Sequence, residues 1–284
     1  MELGNSKLIN MLSLNTQGFK SNYAYISSLL KTNDIIFLSE HWLSNAEKYL
    51  VSNVAKPTHN VYFNSAEKQM KGRPYGGNCF IINKDLSENI SIIHEDTNIL
   101  AVKIMPNQRN ILIMGIYMSC FRDNNSIEKY QEQLNTLTNI IDMYIDESEI
   151  IIMGDFQTFP ETLYDGDNRN NPKRNPLSPR LKNFLTNNQL ELVDITSGFG
   201  PTYTYQHKTL PNSSYIDHIA ILRNTNLNLS SCQIHELHPH NMSDHQPISL
   251  SIKNERIPVL KDIIDKDLPK NLIPAYAWQN KKNS

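Results

Sequence analysis

The chain has 284 residues, 39% of them apolar, and a formal net charge of -2. It is long enough to bury a sizeable core as one domain, too apolar for a disordered segment, and lacks the basic excess of a general nucleic-acid coat, so any polyanion must be met by local patches. Three widely spaced cysteines, Cys79, Cys120 and Cys232, odd in number, argue against a disulfide framework or a zinc site and suit a reducing, intracellular setting. No run approaches the roughly 20 apolar residues needed to span a bilayer, so the expectation is a soluble protein without a signal peptide and without membrane contact.

Leu8 to Leu14 is an apolar stretch ending at Asn15, and Ser21 opens a helical pattern through Tyr25, Ile26, Leu29 and Leu30. The strand Ile35 to Leu38 leads to Glu40. Further β-like runs follow at Cys79 to Ile82, Ile90 to Ile93, Leu100 to Ile104 and Ile111 to Tyr117. Ser126 is the expected cap of a helix whose apolar stripe is Tyr130, Leu134, Leu137, Ile141 and Tyr144. Glu149 to Met153 then runs into Gly154-Asp155, a helix is expected over Pro179 to Asn188, and the closing strands are Tyr215 to Leu222, Cys232 to Leu237 and Pro247 to Ile252. Many strands in hairpin order with about three helices predict an α+β fold of two mostly antiparallel sheets flanked by helices. The domain is expected to cover residues 1–254, and 255–284, rich in Lys, Asn, Asp and Pro and holding Trp278, reads as a linker.

Polar groups recur where these strands end. Glu40 closes a buried-type strand, where a charge is costly unless paired or bound to a hard cation such as Mg²⁺. Gly154 lets the backbone turn and aims Asp155 over the sheet edge. Asp244 and His245 stand side by side before the last strand. Asp217, in a strand interior, suits a carboxylate that accepts from a histidine Nδ1 and stabilises the imidazolium. Such a histidine can activate water or stabilise a pentacovalent phosphorus while a metal polarises the phosphoryl oxygen, which points to metal-assisted phosphodiester hydrolysis. His235, His238 and His240 read as a solvated turn; Lys173, Arg174, Arg180 and Lys182 can either track a phosphate backbone or form a solvated face.

In order, Leu-Asn15-Thr-Gln-Gly, Ser-Glu40-His-Trp-Leu, Gly-Ile-Tyr117, Gly-Asp155-Phe, Ile-Asp217-His and Ser-Asp244-His245-Gln-Pro-Ile resemble the endonuclease/exonuclease/phosphatase superfamily over roughly residues 8–252. Gly72-Arg73-Pro-Tyr-Gly-Gly and Tyr203-Thr204-Tyr205, followed by Ser214-Tyr-Ile-Asp217-His, look most like the apurinic-type endonuclease domain of non-LTR retrotransposons. The resemblance implies a four-layered α/β sandwich. Glu40 would bind Mg²⁺, with Mn²⁺ as the alternative ion, and Asn15 and Asp244 complete the metal set. Asp155 would lie alongside, Asp217 would orient His245 and Tyr117 would support the phosphate. Thr204 and Ser214 fall where that family contacts DNA, and Tyr205 to Ser213, with His207, would form a groove-entering hairpin; Arg73 joins them on the DNA.

The implied activity is Mg²⁺-dependent nicking of double-stranded DNA, leaving a 3′-hydroxyl for a reverse transcriptase encoded downstream in the same polyprotein. The implied form is a monomer acting in the nucleus on chromosomal DNA. One position departs from the pattern. The family's Gly-Asp-Phe-Asn is here Gly154-Asp155-Phe156-Gln157, which sets the catalytic amide one methylene further out. A displacement of about 1 Å costs on the order of a hundredfold in rate, so a DNA-targeting module with weakened catalysis is the alternative, and a phosphodiesterase acting on a lipid or inositol phosphate is another.

Overall fold

The computed structural model describes residues 8–68, 72–86, 90–160 and 175–254. The first half holds β1 (Leu8–Asn15), α1 (Tyr23–Leu29), β2 (Ile35–Ser39), α2 (Lys48–Ala55), β3 (His59–Asn64), β4 (Asn78–Asn83), β5 (Ser91–Glu95), β6 (Ile99–Ile104) and β7 (Ile111–Tyr117). The second half holds α3 (Asn124–Tyr144), β8 (Glu149–Asp155), α4 (Ser178–Asn187), β9 (Leu190–Leu192), α5 (Val193–Thr196), β10 (Gly198–Phe199), β11 (Tyr205–Gln206), β12 (Ser213–Ser214), β13 (Asp217–Leu222), β14 (Leu229–Ile234) and β15 (Ile248–Lys253).

One sheet runs β10-β14-β15-β1-β2-β4-β3 and the other β5-β6-β7-β8-β13-β9. Both are mainly antiparallel. The parallel pairs are β1 with β2, β10 with β14, and β7 with β8. Ile35, Phe37 and Phe80 of the first sheet meet Ile113, Ile151 and Met153 of the second between the layers. On the far side of the first sheet, Ile36, Leu38 and Ile81 pack on Ile26 of α1 and Val51 of α2. On the far side of the second, Leu112, Met114 and Ile152 pack on Tyr130, Leu134 and Leu137 of α3 and Leu181 of α4.

These strands are covered on both faces, which is why Ile35 to Leu38 and Ile150 to Met153 are unbroken apolar runs instead of alternating ones. Each large side chain so buried stabilises the fold by about 1.5–3 kcal/mol. The result is the expected four-layered sandwich. No helix among the described residues is long and apolar enough to cross a membrane.

Three local expectations are corrected. The cap of α3 is Asp123, whose carboxylate accepts from Ser126 N at 2.8 Å; Ser126 is the return partner of that capping box. Five α-helices are present among the described residues, because α2 and the short α5 add to the three read from the sequence. Asp217 is the first residue of β13 and not an interior one. Residues 255–284, and with them Trp278, lie outside the described residues, as do Lys173 and Arg174.

Candidate active site

Strand register assembles the site. Tyr117 on β7 pairs with Asp155 on β8, and Asp155 pairs with Asp217 on β13, so three neighbouring strands place these residues in one row. In the other sheet Asn15 ends β1 opposite Ser39 of β2, which puts Glu40 just beyond that strand's end. Asn15 Nδ2 donates to Asp155 Oδ2 at 3.0 Å and ties the two sheets together at this edge.

Asp155 is fully buried. Gly154 reaches it with φ +144, and a Cβ there would come within 2.1 Å of the Ile116 carbonyl oxygen, so only glycine lets β8 turn this close to β7. Besides Asn15, Asp155 accepts from Gln157 N at 2.9 Å and from Gln157 Nε2 at 2.7 Å. The Gln157 amide is thus turned back onto the carboxylate. Burial, and then the charge of Asp217, raise the pKa of Asp155 from 3.8 to about 7.

His245 Nδ1 lies 2.8 Å from Asp217 Oδ2, both side chains being almost wholly buried. Thr204 accepts at its Oγ1 from Ile216 N and Asp217 N, at 3.0 and 2.9 Å, and is itself fully buried. It therefore supports the strand end that carries Asp217, where the sequence reading had placed it on DNA. Ser243 Oγ holds the other side, donating to the Asn15 carbonyl at 2.6 Å and accepting from His245 N at 3.0 Å. Burial opposes charge on His245, yet Asp217, Asp155 and Glu40 outweigh it and raise the pKa to about 9.

Glu40 is half-buried, and its Oε1 accepts from the Tyr117 hydroxyl at 2.6 Å. Burial and the Glu40 charge push the Tyr117 hydroxyl far above its ordinary range, so it remains a donor. The turn after Glu40 is clamped by His41, whose Nε2 faces the Asn64 carbonyl at 3.0 Å and whose Nδ1 accepts from Leu43 N at 3.0 Å. Burial lowers the pKa of His41 to about 4. Gly77 packs flat on this ring; a Cβ there would stand 2.4 Å from it. Gln17, Glu40 and Gln157 take left-handed φ values of 44, 51 and 60, a concentration of backbone strain of the kind found at functional sites.

Asn15, Glu40, Tyr117, Gln157, Tyr205, Ser214 and His245 line one cleft of about 820 Å³. Gln17, Cys120, Phe121 and Arg122 share it, and sequence reasoning missed them. Gln17 accepts from Asp244 N at 3.1 Å, a link across 227 positions that no local pattern announces. Asp244 Oδ1 has no hydrogen bond but lies 3.6 Å from Lys208 Nζ of the β11–β12 hairpin. His207 turns its Nδ1 inward to Thr209 N and Leu210 N, while Arg73 is exposed and stacked on Trp42 with its guanidinium 3.7 Å from the ring centroid. His235 bonds to Ser249 Oγ at 2.9 Å and His238 stacks on Tyr25, so neither adjoins the cleft.

Two donor sets suit a metal ion. Asp155, Asp217 and His245 each offer a ligand atom, all within 4.8 Å of one another. Glu40 offers a carboxylate oxygen with no hydrogen bond among the described residues and lines the same cleft as Asn15, whose Oδ1 accepts from Gln17 N at 3.2 Å. In the first set the hydrogen bonds already occupy Asp155 and His245 Nδ1; the second set has the free oxygen that a hard cation requires.

Residues 12–245 match the Endonuclease/Exonuclease/phosphatase family. The chain belongs to this family. Its enzymes depend on a divalent metal, in keeping with these donor sets. No curated protein matches the chain. Among solved structures, the 3′ phosphatase NExo from Neisseria bound to a product DNA hairpin superposes with a TM-score of 0.68 at 15% identity, over 85% of this chain and 98% of that one. The AP endonuclease LMAP of Leishmania major gives 0.68 at 11%, over 89% and 90%. The endonuclease domain of TRAS1, a telomere-specific non-LTR retrotransposon, gives 0.61 at 17%, over 87% and 99%. The likeness is one of fold. As a member of this family, the chain is a hydrolase.

A pH dependence follows from the buried pair. The folded-state pKa values of Asp155 and His245, about 7 and about 9, both exceed the ordinary 3.8 and 6.5. Their contribution to stability is therefore complete below the ordinary values and is lost as pH rises through the folded ones. In EDTA, the melting temperature is expected to fall between pH 7 and pH 9, where His245 loses its proton in the folded state; below pH 6.5 the lowered pKa of His41 works in the opposite sense to that of Asp155. A melting temperature that rises between pH 7 and pH 9 in the wild type contradicts the assignment.

Proposed function

We propose that the protein is a divalent-metal-dependent endonuclease that nicks one strand of double-stranded DNA and leaves a 3′-hydroxyl for extension by a downstream reverse transcriptase of the same polyprotein. The observation that carries this reading is the convergence of Glu40–Tyr117, Asp155–Asn15–Gln157 and Asp217–His245 on a single cleft. The shared fold with the TRAS1 endonuclease domain supports the retrotransposon context, and action on nuclear DNA by a monomer belongs to the same proposal.

Asp155, with a proton affinity near neutrality, takes the proton of the attacking water. His245, charged at neutral pH and held by Asp217, presents its Nε2 to the phosphate and stabilises the extra negative charge of the pentacovalent state. The bond between phosphorus and the 3′-oxygen breaks, the phosphate stays on the 5′ side with the water oxygen, and the 3′-oxyanion takes a proton from solvent to become the 3′-hydroxyl. Tyr117 and Asn15 fix the Glu40 and Asp155 carboxylates. Glu40, with Asn15, would hold a divalent cation, Mg²⁺ or Mn²⁺, which would supply Lewis-acid stabilisation of the phosphoryl oxygens when bound. Tyr205, Ser214 and Arg122 on the cleft wall, with the exposed Arg73 stacked on Trp42, supply the local polar and basic contacts that the near-neutral chain needs for DNA. Supercoiled plasmid with Mg²⁺ is the direct assay, and absence of nicking above an EDTA control rejects the reading.

One observation favours a weaker catalyst. Gln157 Nε2 is engaged with Asp155 at 2.7 Å instead of extending into the cleft. Gln157→Asn shortens the side chain and is expected to raise kcat by about 10- to 100-fold with DNA affinity unchanged. Equal rates mean that Gln157 serves as it stands.

A further inference from the structure

The strand that delivers Asp217 carries a second histidine, His218, on its opposite face. His218 and Asp194 of α5 are both fully buried, with Nδ1 2.8 Å from Asp194 Oδ2. Asp194 is saturated by protein donors: the Tyr215 hydroxyl reaches Oδ2 at 2.8 Å and Ile219 N reaches Oδ1 at 2.7 Å. The rings of Phe156, Phe159 and Tyr215 surround the imidazole, with centroids 5.6, 6.0 and 5.0 Å away. A carboxylate and an imidazole inside such a cage are costly to bury and contribute little net stability by pairing. The pair does not line the catalytic cleft, so it touches no reacting atom.

What the pair does hold is the turn that follows Asp155. His218 Nε2 lies 3.2 Å from the Thr158 carbonyl, one residue past the left-handed Gln157. Thr158 is held again through its hydroxyl, 2.7 Å from Ser178 Oγ on α4, and Asn175 Nδ2 donates to the Gln157 carbonyl at 3.2 Å. Phe156 and Phe159 on the same turn pack on the ring, so the residues on both sides of Gln157 are referred to one imidazole. We propose that His218, fixed by Asp194, is a positioning residue that sets the turn whose Gln157 N–H holds the Asp155 carboxylate, and with it the place of the Gln157 amide and the geometry of phosphodiester cleavage. Its kinetic consequence rests on the nuclease reading above; its structural consequence does not.

Two isosteric changes separate the ring's two bonds. His218→Asn keeps a donor toward Asp194 and loses reach to Thr158, whereas His218→Gln keeps the donor toward Thr158. The readouts are the Gln157 side-chain amide signal in the NMR spectrum of the metal-free protein, assigned by its loss in Gln157→Ala, and plasmid nicking. His218→Asn is expected to shift the amide signal and lower kcat by about 10- to 100-fold with KM within about twofold. His218→Gln is expected to retain the signal and a kcat within about threefold of wild type. Equal effects of the two changes, or none from either, overturn the proposal. Asp194→Asn, which preserves shape and loosens the ring, is expected to move the same signal in the same direction, and an unmoved signal there also overturns it. A wild type that never nicks DNA but whose amide signal answers to His218 rejects the nuclease reading and upholds the positioning.

Discussion

His245→Ala is expected to lower Mg²⁺-dependent plasmid nicking by about 10³-fold, the size expected when a preorganised group that stabilises the charge of the transition state is removed. The size follows from what the side chain contributes. Its Nδ1 is committed to Asp217 at 2.8 Å, and the neighbouring carboxylates raise its pKa to about 9, so it carries a positive charge at neutral pH, which in the proposed mechanism faces the scissile phosphate. Alanine removes that charge and leaves Asp217 buried without its partner, which also costs stability. His245→Gln, which fills the space without charge, is expected to be almost as slow as alanine but closer to wild type in melting temperature. Nicking within about tenfold of wild type in both variants excludes His245 from the chemistry.

Glu40→Gln is the second change with a large expected effect. The amide keeps the shape and can still accept from Tyr117, but it removes the one carboxylate in the cleft with an uncommitted oxygen. Losing several kcal/mol of transition-state stabilisation corresponds to about 10³-fold in rate. A readout independent of activity accompanies it: Mn²⁺ titration followed by electron paramagnetic resonance is expected to show tight binding lost in Glu40→Gln. Undiminished Mn²⁺ binding would move the metal to the buried Asp155, Asp217 and His245 group, which has the necessary proximity.

Much of the fold was legible because its strands are covered on both faces. Continuous runs such as Ile35 to Leu38 and Ile150 to Met153 allow no other placement, and a charged residue at the end of such a run stands out. Glu40 and Asp155 stood out for that reason, whereas Asp217 was singled out as a carboxylate inside a strand although it opens β13. The second helix escaped because Lys48–Ala55 is short, and β3 because His-Asn-Val-Tyr-Phe-Asn mixes polar and apolar residues at a sheet edge. Thr204 was misread because its role depends on two backbone N–H groups 12 and 13 positions away that only the folded turn brings to it. Gln17 and the Asp194–His218 pair were invisible on the same grounds, since neither partner lies within a local period of the other.

The left-handed backbone at Gln17, Glu40 and Gln157 carries an opposing selection. At each of these positions glycine would relieve strain in the folded chain, whereas the side chain that creates the strain is the one that faces the cleft. On the nuclease reading proposed above, a copy of this gene freed from the need to cut would therefore gain stability by drifting toward glycine at the three sites. Their retention in a set of otherwise diverged copies would mark which lineages still select for cleavage, without any biochemical measurement.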